Sequence, residues 1–425
     1  MDVTTRPAEG RTLMRSTKLG ARFAALAAAL ALACGMAAPA FAAAAPTASQ
    51  TVSRRGDVVR VTPIDHLTAA QATRYARENG FAVPDGRDGV DAYRIVYRTV
   101  TPQGRATTAS GVLALPHDAG DRALPTVEYT HGTMPYRGDA PSVSNGPDRA
   151  VPVMFAAQGF AGVAPDYLGL GVGPGAHPYM DVASETTASV DLLRAARTVA
   201  ARHGERLDGR LYATGFSQGG AAAMGVARAA QRGDAPGFRL AGLAPVSGPY
   251  DLSGQELPAA FDGRLAPPTA AFYLAYVLTA WNRLHPLYHS PSEAFRAPYD
   301  KTLAPLFDGD HTDQQIVAAL APNPQALLTP KFLALLQHPT GAFAAMLRTA
   351  DAVCTDWTPR VPVRLYAADR DTDVAFGNAV SCDRSLRAHG VDAPLVNVGH
   401  VDHPHSAYRA YPQILRWFET LAGQR

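Results

Sequence analysis

Apolar and polar positions divide the chain into stretches of different rhythm. Ala92 to Val100 and Thr107 to Leu115 alternate and are rich in β-branched residues, with Pro102-Gln-Gly104 between them. That pattern predicts an antiparallel hairpin. From Pro125 onward, short apolar runs alternate with helix-spaced stretches. Pro125–Thr130, Gly162–Pro165, Arg210–Thr214, Leu240–Val246, Val361–Ala368 and Ala393–Val398 read as strands. Leu67–Asn79, Ser184–Arg202, Ala221–Arg232 and Tyr408–Ala422 read as helices; in the second, Val190, Leu193, Ala196 and Val199 share a face. Strands and helices in alternation imply an α/β fold, a mostly parallel sheet with helices on both faces.

Residues 255–356 break the alternation. No strand is convincing there, while Ala270 to Trp281 and Lys331 to Leu336 are helical and strongly apolar. About a hundred residues is too long for an ordinary connection. The segment is therefore predicted to be a helical insertion over the carboxyl edge of the sheet. It divides a core made of residues 58–254 and 357–425. Phe272, Tyr273, Tyr276, Val277 and Trp281 either face a substrate pocket or form the insertion's own core.

The first 42 residues have a different character. Arg6, Arg11, Arg15, Lys18 and Arg22 precede an apolar run from Phe23 to Ala33, and Ala38-Pro-Ala-Phe-Ala-Ala43 follows. A basic start, a short apolar stretch and an A-x-A end predict a secretory signal peptide, cleaved after Ala42. The run is short for a bilayer span, so no stable membrane anchor is expected. Residues 43–57 are small and polar, the composition of a flexible lead-in. Export makes the mature chain secreted or periplasmic.

Composition then narrows the function classes. At 47% hydrophobic and 18% charged residues, the chain suits a large globular core. Residues 1–42 carry five Lys/Arg and two Asp/Glu, which leaves 34 basic and 35 acidic residues and a net charge near −1. No basic stripe remains for nucleic acid or anionic lipid. The oligomeric state stays open. Two cysteines remain, Cys354 and Cys382; an even count in an exported chain favours a disulfide between them.

The chemistry centres on Thr214-Gly-Phe-Ser-Gln-Gly-Gly220, which follows a predicted strand and precedes a predicted helix. A G-x-S-x-G in that context is a nucleophile elbow, with Ser217 at the tip. A serine hydroxyl needs a base, and the base needs an orienting acid. In this arrangement the acid follows the next-to-last strand and the histidine follows the last. Asp369, Asp371 and Asp373 compete for the first role; His400, His403 and His405 compete for the second. The oxyanion donors are expected at the backbone N–H of Gln218 and, in the loop His131-Gly-Thr133, at that of Thr133. His131 itself is expected to hold that loop. His400, Asp402, His403 and His405 are metal-ligand types, but their order matches no hydrolytic zinc signature, so no metal and no cofactor is expected.

Five segments carry a resemblance: His131-Gly-Thr133, Gly162-Val-Ala-Pro-Asp-Tyr-Leu-Gly-Leu-Gly171, His177-Pro-Tyr179, Gly215-Phe-Ser-Gln-Gly219 and Gly248-Pro-Tyr-Asp-Leu252. Together they resemble the bacterial secreted lipase/esterases related to the secretory lipases, over residues 90–250 and more loosely over 356–420. The resemblance implies an α/β-hydrolase fold with a helical lid between the sixth and seventh strands, and esterase or lipase activity on small-molecule or lipid esters. Many superfamily members carry Gly-x-x-Asp-x-x-Val after the penultimate strand. That pattern selects Asp371, followed by Val374, with Ala368 in place of the glycine. The phase of related sequences selects His403, with His400 as its rival. A serine peptidase of the prolyl-oligopeptidase type shares this chemistry, but the lead-in is too short for a propeller. A hydrolase-fold binding protein would lack one of the three roles.

Overall fold

The computed structural model describes residues 54–117 and 120–423, so the expected signal peptide and most of the lead-in lie outside the described residues. Nine strands make one sheet in the order β1-β2-β3-β5-β4-β6-β7-β8-β9. β2 (Gly89–Val100) and β3 (Ala106–His117) form the expected hairpin, in unbroken register from Gly89 opposite His117 to Val100 opposite Ala106. β4 (Ala123–Thr130), β5 (Ala161–Pro165), β6 (Arg206–Phe216), β7 (Arg239–Val246), β8 (Leu365–Ala367) and β9 (Leu395–Asn397) are mutually parallel. β1 (Val58–Leu67) adds an antiparallel edge beside β2. Because of that extra strand, the helical insertion follows the seventh strand of this sheet rather than the sixth.

Successive residues of the inner strands enter opposite apolar layers. Leu211 and Ala213 of β6 pack with α3 (Val182–Arg202) and α4 (Gln218–Arg232), whereas Tyr212 packs on the other face. That second face is covered by α1 (Ala69–Glu78), α2 (Pro147–Ala156) and the closing helix His403–Ala422. With both faces buried, these strands need continuous rather than alternating apolarity, as parallel sheets do.

The insertion contains α5 (Leu257–Asp262), α6 (Pro267–Leu284), α7 (Pro291–Ala294), α8 (Tyr299–Leu306), α9 (Asp313–Ala319), α10 (Pro324–Leu327), α11 (Pro330–Gln337) and α12 (Gly341–Asp351). It has its own apolar core, which includes Trp281, Phe295, Phe307, Phe332 and Phe343. Tyr179, from the loop before α3, joins this core. Its ring stacks on Tyr276 at 4.1 Å, Tyr276 stacks on Phe307 at 4.6 Å, and Trp281 donates its indole N–H to the Tyr179 carbonyl at 3.1 Å. Past the insertion, Cys354 is disulfide-bonded to Cys382 of α13 (Gly377–Ala388), with 5.3 Å between Cα atoms. The loop after β8 lies between the two cysteines in sequence. The last helix, α14 (His403–Ala422), starts five residues before the expected Tyr408. Asp402 caps it by accepting from the His405 N–H at 3.0 Å, an interaction worth about 1 kcal/mol.

Candidate active site

Ser217 occupies the single residue between β6 and α4, with φ 57° and ψ −126°. A non-glycine residue held there costs on the order of 1–3 kcal/mol. The surroundings hold it: its N–H donates to the Val246 carbonyl of β7 at 2.9 Å, and its own carbonyl accepts from the Gly220 N–H at 2.7 Å. The flanking glycines have a steric cause. A Cβ on Gly215 would overlap the Gly219 carbonyl, and a Cβ on Gly219 would overlap the Thr130 carbonyl. The turn is thus wedged against the end of β4. Gln218 opens α4, where the first N–H groups have no intrahelical acceptor and the helix dipole is positive.

The Gln218 side chain is fixed in a buried polar chain that the sequence did not announce. Its Nε2 donates to Glu185 Oε1 at 2.6 Å and to His177 Nε2 at 2.9 Å. His177 Nδ1 donates to the Leu168 carbonyl at 3.0 Å, which leaves Nε2 as the acceptor. Burial pushes His177 down to about 3, so the ring is neutral. Burial pushes Glu185 up to about 8, against the Gln218 hydrogen bond that lowers it. A neutral carboxyl still accepts at its carbonyl oxygen. Both groups come from the segment carrying His177-Pro-Tyr179 and the first turn of α3, and the only signal for them was that motif.

Thr133 Oγ1 is 2.9 Å from the Tyr179 hydroxyl, which ties the loop after β4 to the aromatic stack of the insertion. His131 is fully buried, its Nδ1 2.7 Å from the Gly132 carbonyl and its ring 4.2 Å from that of Tyr167. It lies under the loop that carries Thr133.

The three candidate histidines find three different aspartates. His400 Nδ1 lies 2.9 Å from Asp369, with side chains 72% and 41% exposed. His405 Nδ1 lies 2.6 Å from Asp402, at 59% and 60%. His403 Nδ1 lies 2.6 Å from Asp371 Oδ2, at only 7% and 2%. The other Asp371 oxygen accepts from the backbone N–H groups of Asp373 and Val374, both at 2.9 Å. The His403 ring packs 4.5 Å from that of Phe216, the residue before Ser217, and its Nε2 is buried without a hydrogen-bond partner. Burial lowers the affinity of His403 for a proton, but the charge and hydrogen bond of Asp371 outweigh it, and the pKa ends above the usual 6.5.

Ser217 stands between two cavities. One runs under the insertion and is lined by Met180, Leu274, Val277, Trp281, Phe343 and Leu347 among other apolar side chains. Of the candidates in α6, Tyr273, Val277 and Trp281 line it, while Tyr276 belongs to the stack. Glu256 also lines it. This buried carboxyl, pushed up to about 7 by burial, accepts from the Ala375 N–H at 3.1 Å and from Asn378 at 2.6 Å, so it anchors the segment after Asp371. The second cavity is lined by Ser217, His403, Gly132 and Thr133, with Asp148, Asp313 and Asp373 among its polar groups.

No protein-family model matches the chain, and no curated protein sequence matches it. Solved structures do. A Legionella pneumophila protein taken to be a hydrolase aligns with TM-score 0.78 and 24% identity over 86% of this chain and 98% of that one. The rice cell wall degrading esterase LipA from Xanthomonas oryzae aligns with TM-score 0.74 and 25% identity over 87% of this chain and 100% of that one. Candida antarctica lipase A aligns with TM-score 0.61 and 18% identity over 84% and 79%. The fold is the α/β-hydrolase fold. The solved structures it resembles are those of a hydrolase, an esterase and a lipase.

Proposed function

We propose that the chain is a secreted serine esterase that works through Ser217, His403 and Asp371 and an acyl-enzyme. The observation that carries the reading is the buried His403, pinned at Nδ1 by Asp371 and unpartnered at Nε2, in the cavity that also contains Ser217. As the Ser217 Oγ bonds to the ester carbonyl carbon, His403 Nε2 takes its proton. The N–H groups of Gln218 and Thr133 receive the developing oxyanion. The carbon–oxygen bond to the alcohol breaks, and His403 returns the proton to the departing oxygen. Water then repeats the sequence on the acyl-enzyme, releasing the acid and restoring Ser217. The acyl chain lies in the apolar cavity beneath the insertion, and the alcohol lies in the more polar one. Export is supported by the leader-like start of the sequence and by the Cys354–Cys382 bond, which persists in oxidising compartments.

The test is Ser217→Ala, assayed on p-nitrophenyl esters from acetate to palmitate, with fluorophosphonate labelling of the parent. Turnover and labelling should both vanish in the variant. Undiminished turnover in Ser217→Ala overturns the mechanism.

A further inference from the structure

We propose that His66, Asp91 and His117 form a site for a divalent transition-metal ion of the zinc or copper type, on the edge of the sheet away from Ser217. The three residues come from neighbouring strands: the end of β1, the start of β2 and the end of β3. Register puts them on one face. His66 lies opposite Asp91, and His117 lies opposite Gly89, two residues along β2 from Asp91. Directly paired residues, and residues two apart on a strand, point to the same side of a sheet. Gly89 has a steric part in this. A Cβ there would sit 2.8 Å from the Leu67 carbonyl oxygen and 3.2 Å from the His117 Cβ. Without that atom, the His117 ring has room to lean over β2 toward Asp91.

The donor atoms converge. His66 Nδ1 is 2.6 Å from one Asp91 oxygen, and His117 Nδ1 is 3.4 Å from the other. The two rings meet edge to face at 4.8 Å. One donor atom from each residue lies within 4.8 Å of the other two, and among the described residues this group has that spacing. Tetrahedral zinc with bonds of about 2.0–2.1 Å separates its ligands by roughly 3.3 Å, which small side-chain rotations provide here. Two imidazoles and a carboxylate suit zinc, copper or nickel, whereas calcium and magnesium need more oxygens. The His66 side chain is 70% exposed, so water reaches the ion and completes its coordination.

This site does not share the ester chemistry. β3 runs antiparallel to β5, with Ala114 opposite Gly162 and Gly111 opposite Pro165. The end of β3 therefore lies beside the beginning of β5, at the amino edge of the parallel strands, while Ser217 follows the carboxyl end of β6. A bound ion ties the edge strand β1 to the hairpin and stabilises the fold by mass action.

The test uses the full chain, stripped with a chelator and titrated with zinc by calorimetry and with copper(II) by electron paramagnetic resonance. The expected result is one saturable zinc site and a copper spectrum with nitrogen couplings from two imidazoles. His66→Ala, His117→Ala and Asp91→Asn should each weaken binding by about tenfold or more, since even outer partners of a metal site cost about 10–100-fold. Zinc should raise the melting temperature of the parent and not of these variants. His400→Ala, at another exposed His–Asp pair, should bind like the parent, and ester hydrolysis should be unchanged in all four variants. No saturable uptake up to millimolar zinc overturns the proposal, and so does binding undiminished in the folded His66→Ala and His117→Ala proteins.

Discussion

Asp371→Asn replaces one carboxylate oxygen by an amide at the point where the proposed base is oriented. One Asp371 oxygen accepts from the Asp373 and Val374 N–H groups, and the other faces His403 Nδ1 at 2.6 Å. Asparagine keeps its oxygen on the two N–H groups and turns its NH₂ toward the ring. An amide N–H donates, so Nδ1 must become the acceptor and the imidazole proton moves to Nε2. That nitrogen then has no lone pair for the Ser217 proton. The same exchange in a serine-hydrolase triad costs about 10⁴-fold in kcat, or roughly 5.5 kcal/mol of transition-state stabilisation. Both backbone hydrogen bonds survive, so the melting curve should barely move. The assay is steady-state hydrolysis of p-nitrophenyl butyrate by folded protein of matched concentration. Asp369→Asn and Asp402→Asn, which face the exposed His400 and His405, should stay within about twofold of the parent, as surface changes do. If Asp371→Asn keeps more than about a tenth of the parent kcat, or Asp369→Asn matches its loss, the reasoning about tautomer control is wrong.

Three further outcomes are expected. His403 is a base only when neutral, and its pKa lies above 6.5 because Asp371 outweighs burial. The acid limb of kcat/KM should therefore have its midpoint above about 6.5, and a midpoint below that value counts against the assignment. The fold responds with the opposite sign: this group's stabilisation is full below the unfolded imidazole pKa and is lost as pH rises through the folded value. Glu185→Ala should release the Gln218 side chain and lower kcat by about 10- to 100-fold, below the 10²- to 10³-fold cost of losing an oxyanion donor outright. KM should change little, and Glu185→Gln should retain most of the rate; a loss confined to KM refutes the positioning role. Opening the Cys354–Cys382 bond, whose ends are 28 residues apart, should cost about 3–4 kcal/mol by loop entropy. A urea midpoint for Cys354→Ala/Cys382→Ala equal to that of the parent would contradict it.

The inner strands were legible because burial on both faces leaves compact apolar runs such as Leu240–Val246. β1 was not, because its edge position leaves polar residues on both sides and Pro63 interrupts it, which an edge strand tolerates. α2 was hidden by Pro152 inside it and by burial on all sides, which removes the amphipathic stripe. At the site, the strand–turn–helix context singled out Ser217. Spacing alone leaves the three histidines of residues 400–405 equivalent. Burial separates them, and burial depends on the Phe216 ring and on the entry of α14, neither visible in a local pattern. Glu185, His177 and Glu256 are isolated polar residues whose partners lie far away in sequence.

The backbone at Ser217 sits in a conformation that glycine adopts with ease and serine does not. In the proposed mechanism the tip of the elbow is therefore a point where fitness of the fold and fitness of the catalyst pull apart. A Ser217→Gly protein should unfold at a higher denaturant concentration than the working enzyme while hydrolysing nothing. In the proposed mechanism the hydroxyl is what serine supplies at this position, and relief of backbone strain is what it gives up.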